Sequence, residues 1–195
     1  MKFLTLGPKG SNHELVTLQY LDFHGLRQNA ELVLAADFSE GALAVLRGDA
    51  DYMIQCAVHP ACGVTMAKFF AGLFAVDTFI SPSRDLAIMQ RNDVVQPRSL
   101  AAMRPTLDYI DVNQWDRIEL VSTVAEVTRG LVSGAYAVGV GYAEAAQTHA
   151  DVLRVTTFIG TVDDVWIVYG RRRLSSGRML AWRDSPVGHL YREGA

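Results

Sequence analysis

The sequence predicts an α/β protein made of two similar lobes, and two observations support this fold class. Helical and strand patterns alternate with short turns between them, which is typical of α/β layers with mainly parallel sheets. A helix–glycine–strand unit also occurs twice, as FSEGALAVLRGDADYMIQCAV at 38–58 and as STVAEVTRGLVSGAYAVGVGY at 122–142. Two such units predict two lobes, and a ligand cleft between the lobes is the expected consequence.

The remaining elements continue the alternation of helix and strand. Apolar runs predict further strands at 2–6, 31–35, 85–91, 152–160 and 165–170. Polar caps and helical spacing predict helices at 11–23 and 143–149. Residues 92–106 are polar and contain proline, so we expect loops and a short helix there.

We expect the last strand of the chain to return to the first lobe. The predicted division is 1–80 plus 152–172 for lobe 1, 81–151 for lobe 2, and 173–195 for a C-terminal tail. The tail is basic and aperiodic, and we expect it to lie on the surface and to pack through Leu180 and Trp182.

The composition argues against several classes of protein. Half of the 195 residues are hydrophobic and 20% are charged, which fits a soluble globular protein. The net charge of −3 offers no basic surface for nucleic acid, and no apolar run reaches the roughly 18 residues of a membrane span. The chain shows no signal peptide, and its two cysteines lack metal-ligand spacing. We therefore expect a cytoplasmic protein with no metal, cofactor, nucleic-acid partner or membrane partner.

The loop GPKGS at 7–11 has the parts of an anion site at a helix start. It is not a Walker loop, but Gly10 allows close backbone approach and Ser11 offers a hydroxyl beside free N–H groups. The candidate ligand-binding residues of this segment are Gly10, Ser11, Asn12 and His13. An ordinary capped helix would show the same pattern.

The segment STVAEV at 122–127 is a second capped helix start, with Ser122 and Thr123 as candidates. Across a two-lobed cleft it would face the first loop, and two opposed helix N-termini would suit a dianion. Arg84 and Arg104 flank the central strand region and are candidates to neutralise carboxylates. Exposed arginines without such a role are the alternative for both.

His59 is the candidate catalytic residue, because it follows the strand DYMIQCAV in a loop where open α/β sheets bind ligands. Histidine there can act as a general acid or pair with a carboxylate, although a surface histidine is equally compatible with the pattern. Cys62 in the same loop would need a lowered pKa to act as a nucleophile. Asp163 and Asp164 form an acidic pair in which one pKa can be raised, or a solvated turn.

The segment TLGPKGSNHELVTLQYL resembles the opening motif of prephenate dehydratases. DADYMIQCAVHPACG, RDLAIM and VSTVAEVTRGLVSGAYAVGVGYAEAAQ resemble later segments of that family in the same order, roughly over residues 3–170. The resemblance implies the two-lobed fold of type II periplasmic binding proteins, with a small-molecule carboxylate in the cleft. It also implies a homodimer.

Departures from the family pattern narrow this expectation. Dehydratases carry a Thr-Arg-Phe motif whose threonine helps to expel the ring hydroxyl, whereas the matching segment here is DDVWIVYG at 163–170. The residues after 171 are too few for the regulatory phenylalanine-binding (ACT) domain. The chain is also similar to the small prephenate decarboxylases of secondary metabolism, of the bacilysin-pathway type, in its Val58-His59 loop and in Trp166 of the last strand, a further substrate-binding candidate.

The resemblance therefore implies a lyase, with non-aromatising prephenate decarboxylation in antibiotic biosynthesis as the leading expectation. Losing the threonine would remove the acid beside the hydroxyl that must be kept. Three alternatives stay open. They are a dehydratase-like protein acting on another substrate, for example in tropone or tropodithietic-acid-type biosynthesis, a true prephenate dehydratase, and a non-catalytic binding protein for small carboxylates.

Overall fold

The computed structural model describes residues 1–182, and two five-stranded sheets organise this part of the chain. The strands of the first sheet are β1 (Lys2–Leu6), β2 (Glu31–Ala35), β3 (Tyr52–Cys56), β4 (Phe74–Pro82) and β10 (Asp163–Gly170). Those of the second are β5 (Leu86–Arg91), β6 (Ser99–Met103), β7 (Arg117–Val121), β8 (Val138–Tyr142) and β9 (Leu153–Gly160).

The two sheets share one topology, with orders β2-β1-β3-β10-β4 and β7-β6-β8-β5-β9. In each, three parallel strands are followed by an antiparallel strand that arrives from elsewhere in the chain, namely β10 in the first sheet and β5 in the second. This arrangement confirms the predicted α/β class with two similar lobes.

The helices pack on the faces of these sheets. They are α1 (Asn12–Phe23), α2 (Phe38–Arg47), α3 (Cys62–Phe69), α4 (Val124–Ser133) and α5 (Glu144–Thr148), with short 3-10 helices at Arg104–Tyr109 and Val112–Gln114. Each lobe has apolar clusters that pack helices against its sheet. None of the helices within residues 1–182 has the length and apolar character that crossing a bilayer requires.

The repeated unit seen in the sequence is also repeated in its caps. At the start of α2 the Asp37 carboxylate accepts the Glu40 N–H at 2.8 Å, and at the start of α4 the Thr123 hydroxyl accepts the Glu126 N–H at 3.1 Å. Both glutamates return a side-chain oxygen to a backbone N–H just before the helix. Reciprocal bonds of this kind satisfy donors that a helix start otherwise leaves unpaired.

The helices of the two repeats also end alike, at Gly48 and Gly134, each with a φ of 87°. A side chain is strained at this left-handed geometry, which explains glycine at both places. An arginine at the end of the antiparallel strand then donates to the last turn of each helix, Arg171 to the Val45 carbonyl at 3.1 Å and Arg91 to the Leu131 carbonyl at 3.0 Å.

Three sequence expectations are corrected by the structure. The sequence predicts residues 152–160 in lobe 1, but β9 pairs with β5 and forms an edge of the second sheet, so that of these two strands only β10 returns to the first sheet. The segment 92–106 contains the strand β6, whose short alanine-rich core (SLAAM) has weak strand propensity. Leu180 and Trp182 are 59% and 71% exposed rather than packed, and the rest of the predicted tail lies outside the described residues.

Candidate functional site

A cavity of about 280 Å³ lies between the two lobes, beside the segments where the chain crosses from one sheet to the other. Its walls are the loops after β1 and β3, the crossing between β4 and β5, the 3-10 helix after β6, and the start of α4. These are carboxyl ends of strands and amino ends of helices, where ligands bind in open α/β sheets. The predicted site residues that line it are Ser11, Asn12, His13, His59, Arg84, Arg104, Ser122 and Thr123.

Asn12 joins the lobes on one side of this cavity. Its backbone N–H donates to the Tyr142 hydroxyl at 3.1 Å, and its side-chain amide donates to the Ser83 hydroxyl at 3.2 Å. Its side-chain oxygen accepts the Arg84 N–H at 3.1 Å. Asn12 is therefore engaged by the protein on three sides in contacts that join the lobes, and its role as a ligand contact stays a prediction.

Arg84 lies on the same side and is also engaged. Its guanidinium donates to the Gly10 carbonyl at 2.8 Å, lies 3.3 Å from the Glu144 carboxylate and stacks 4.9 Å from the Tyr142 ring centroid. Gly10 does not line the cavity, and its N–H donates to the Glu14 carboxylate. The structure therefore places Arg84 and Gly10 in contacts between the lobes.

Arg104 offers its guanidinium to a ligand, whereas Arg84 is held through Nη1 and leaves a buried Nε without a hydrogen-bond partner. Arg104 is exposed at the start of the 3-10 helix that follows β6. The ion pairs formed among residues 1–182 do not include it. A guanidinium in this position can bind a carboxylate through two parallel hydrogen bonds.

The hydroxyls of Ser11 and Thr123 serve as helix caps. Ser11 accepts the Glu14 N–H at 3.2 Å, and Thr123 accepts the Glu126 N–H at 3.1 Å. Ser122, whose hydroxyl does not cap the helix, lines the same wall of the cavity. A ligand at this wall would meet the Ser122 hydroxyl and the first backbone N–H groups of α4.

His13 and His59 form an aromatic cluster under the cavity with Phe38 and Trp166. The ring centroids of the two histidines are 5.8 Å apart, and Phe38 lies 4.9 Å from His59. The Ala61 N–H donates to His59 Nδ1 at 3.1 Å, so the proton of a neutral His59 ring is on Nε2. His59 thus presents an N–H donor rather than a lone pair.

Both histidines are neutral at physiological pH. Burial, with a smaller contribution from the neighbouring His59, lowers the pKa of His13 to about 3. Burial also lowers the pKa of His59. A neutral His59 can donate a hydrogen bond, but its lowered pKa makes a protonated imidazolium a rare species for acid catalysis.

Trp166 does not line the cavity, contrary to the sequence expectation of a substrate contact. Its side chain is fully buried in the first lobe, and its ring centroid lies 5.0 Å from that of His13. Alternation along β10 points Trp166 into the core, whereas a sequence comparison sees only a large aromatic residue. Its position supports the histidine cluster from below.

A polar cluster that the sequence only hinted at lines the cavity near the crossings. It contains Asp164, Ser83 and Cys56. Asp164 is 6% exposed, and the Ser83 hydroxyl donates to its carboxyl group. Burial is the main cause of a raised Asp164 pKa and also raises the pKa of the Cys56 thiol to about 12. The acidic pair at 163–164 was visible in the sequence, but the burial of one member was not.

Cys62 is buried away from this cluster. Its sulfur lies 3.8 Å from the Tyr169 hydroxyl, and the residue does not line the cavity. This position argues against the nucleophilic role that the sequence left open for Cys62.

Comparisons with known proteins support the fold. No protein-family profile and no curated protein sequence matches the chain. Among solved structures, the prephenate dehydratase of Arthrobacter aurescens in complex with L-Phe superposes with a TM-score of 0.67 at 16% identity, over 92% of this chain and 63% of that one. The chain has a prephenate dehydratase-like fold.

Two further solved structures extend the likeness. The prephenate dehydratase of Staphylococcus aureus gives a TM-score of 0.59 at 15% identity, over 89% of this chain and 67% of that one. The periplasmic VFT2 domain of Bordetella pertussis BvgS gives 0.52 at 14% identity, over 87% and 80% of the two chains. The prephenate dehydratase-like fold is thus also periplasmic-binding-protein-like, as the sequence resemblance implied.

Proposed function

We propose that this protein binds a small cyclic carboxylate between its lobes and acts on it as a lyase, most simply by decarboxylating prephenate without making the ring aromatic. The observation that carries the proposal is the cavity between the lobes. It combines the available guanidinium of Arg104 and the amino end of α4 with largely apolar walls. Such a site can hold a carboxylate by its charge and enclose a ring beside it.

The chemistry explains why the missing threonine matters. Prephenate becomes aromatic when it loses carbon dioxide and hydroxide together, and protonation of the leaving hydroxyl speeds that loss. A non-aromatising enzyme breaks only the bond to the ring carboxylate. The electron pair then moves through the ring to a carbon atom that takes up a proton. The segment DDVWIVYG has no threonine to assist loss of the hydroxyl, which supports this outcome provided that any acid in the cleft protonates ring carbon and not the hydroxyl.

Product analysis tests the proposed function directly. The full chain is incubated with prephenate, and carbon dioxide release, phenylpyruvate and hydroxyl-retaining products are followed by mass spectrometry and NMR. We expect carbon dioxide release with retention of the hydroxyl. Phenylpyruvate formed at a catalysed rate would show that the protein is a dehydratase and would contradict the decarboxylase proposal. Binding without turnover would favour another substrate or a binding protein.

Replacing Arg104 by alanine is expected to weaken prephenate binding by about 10- to 100-fold, since a charge-assisted hydrogen bond contributes about 1.5–3 kcal/mol. Calorimetry on Arg104→Ala measures this effect. The matched control is Arg98→Ala, because Arg98 is an exposed arginine that pairs with Asp116 at 3.0 Å and does not line the cavity.

Equal affinity in the wild type and Arg104→Ala would contradict the carboxylate role of Arg104. Alanine at Ser11 or Thr123 is also expected to weaken binding. Each of these changes additionally removes a helix cap, at a cost of about 1 kcal/mol in stability. Arg104 therefore gives the cleaner test.

A further inference from the structure

We propose that Asp164 enters the reaction as a neutral carboxylic acid and is the group that delivers a proton to the ligand in the cleft. This inference rests on the proposed function for the identity of the ligand. It replaces His59, the acid candidate taken from the sequence, with a residue of the last strand.

The position of Asp164 is the first support. It lies near the start of β10, pairs with Ser81 in β4, and is 6% exposed at the wall of the cavity. No lysine, arginine or histidine nitrogen in the described part of the chain lies within 4.0 Å of its carboxyl group. A carboxylate buried without a cation is costly, which favours the protonated form.

The groups around Asp164 act in opposite directions, and burial outweighs them. From β3 the Cys56 thiol, protonated because its pKa is raised to about 12, donates to the carboxyl group and, like the Ser83 hydroxyl, lowers the Asp164 pKa. Tyr109 of the 3-10 helix after β6 lines the same cavity. Asp163 on its own strand adds a negative charge. Arg84 and Arg104 line the same cavity, but Arg84 is held by Glu144 and Arg104 is not within ion-pair distance.

A short chain of hydrogen bonds allows Asp164 to exist as a carboxylate after it has given up its proton. The Asn12 amide donates to the Ser83 hydroxyl, and Ser83 donates to Asp164 Oδ2. Because Oδ2 accepts the Ser83 hydrogen bond, we assign the acidic proton to Oδ1. After transfer, Ser83 and Cys56 stabilise the new carboxylate, so that the acid can lose its proton as well as hold it.

The proposed step is balanced. The bond between the ring and its carboxylate breaks, carbon dioxide leaves, and the electron pair moves to a ring carbon. That carbon forms a bond to the Oδ1 proton, and Asp164 becomes a carboxylate that takes a proton from water. In D2O the product should therefore carry one deuterium on the ring.

The protonation state can be tested without any ligand. Infrared spectra of the full chain near neutral pH should show a carboxylic acid C=O band that shifts in D2O. The band should be absent from Asp164→Asn and present in Asp116→Asn, a matched control because Asp116 is exposed, lies outside the cavity and is not among the groups that shift the Asp164 pKa. A wild-type spectrum without the band overturns the proposal.

Catalysis is tested with prephenate as the probe. We expect kcat of Asp164→Asn to fall by about 100-fold or more with little change in KM, since general acids typically contribute that much. Asp116→Asn should keep wild-type kcat. Full activity in Asp164→Asn, with the infrared band present in the wild type, overturns the role as proton donor.

A second variant guards against misfolding of Asp164→Asn. Ser83→Ala removes a donor to the carboxylate, so the loss of kcat at high pH should move to higher pH. A pH profile of kcat in Ser83→Ala whose high-pH decline stays at the wild-type position contradicts the proposal. If wild-type protein does not turn over prephenate but the band is present, the proposed substrate fails while the neutral acid stands.

Discussion

Acidification from neutral pH to about pH 3 is expected to cost the protein on the order of 4 kcal/mol through His13 alone. The pKa of His13 is lowered from 6.5 to about 3 in the folded chain, chiefly by burial. Between these values the unfolded chain binds a proton that the folded chain does not. Stability therefore rises with pH across this window and is lost as the pH falls from 6.5 towards 3.

Urea unfolding at a series of pH values measures the effect. His13→Gln should flatten the pH dependence over the window, because glutamine has no proton to gain. His149→Gln serves as control, since His149 ends α5 in the other lobe. His59 acts in the same direction through its own lowered pKa, so a double His13→Gln/His59→Gln variant should be flatter still. A His13→Gln protein as acid-sensitive as the wild type would contradict this account.

Truncating Trp166 to alanine is expected to destabilise the fold by about 3–5 kcal/mol, as is usual when a large buried aromatic side chain is removed. The residue is fully buried, between the His13 ring at 5.0 Å and the Phe79 ring at 6.3 Å. Chemical denaturation measures the loss. Trp182→Ala is the matched control, since Trp182 is 71% exposed and its removal should change stability by less than about 0.5 kcal/mol.

The milder substitution Trp166→Phe distinguishes a structural role of Trp166 in the core from a direct contact with the ligand. Because the indole lies outside the cavity lining, phenylalanine should cost some stability and leave ligand affinity close to that of the wild type. A folded Trp166→Phe protein with strongly weakened binding would restore the direct contact predicted from the sequence.

The two-lobed architecture was predictable because its signals are local. The caps at Asp37 and Thr123 and the glycines at 48 and 134 are set by backbone geometry within a few residues. The assignment of β9 was not predictable in this way. Its residues suit a strand in either sheet, and only pairing with β5, more than sixty positions earlier, decides between them.

The candidate site was likewise predictable only where its signals are local. The sequence found the loops that line the cavity, since helix starts and strand ends have recognisable patterns. It did not separate available groups from engaged ones. Arg84 and Arg104 look alike in the sequence, and only the contacts with Gly10 and Glu144 distinguish them. The importance of Asp164 over Asp163 likewise depends on burial, which is a property of the assembled lobes.

The contacts of Asn12 and Arg84 join the two lobes beside the crossings of the chain. We expect the lobes to separate least on this side of the cleft. A groove that shares His59, Ser122 and Thr123 with the cavity is bordered by Phe38 and His59 of one lobe and by Ser122 and Thr123 of the other. We expect a ligand to arrive through this groove and to meet the first turn of α4 early in its path. The rate at which the lobes separate at this groove would then control how quickly a ligand in the cavity exchanges with solvent.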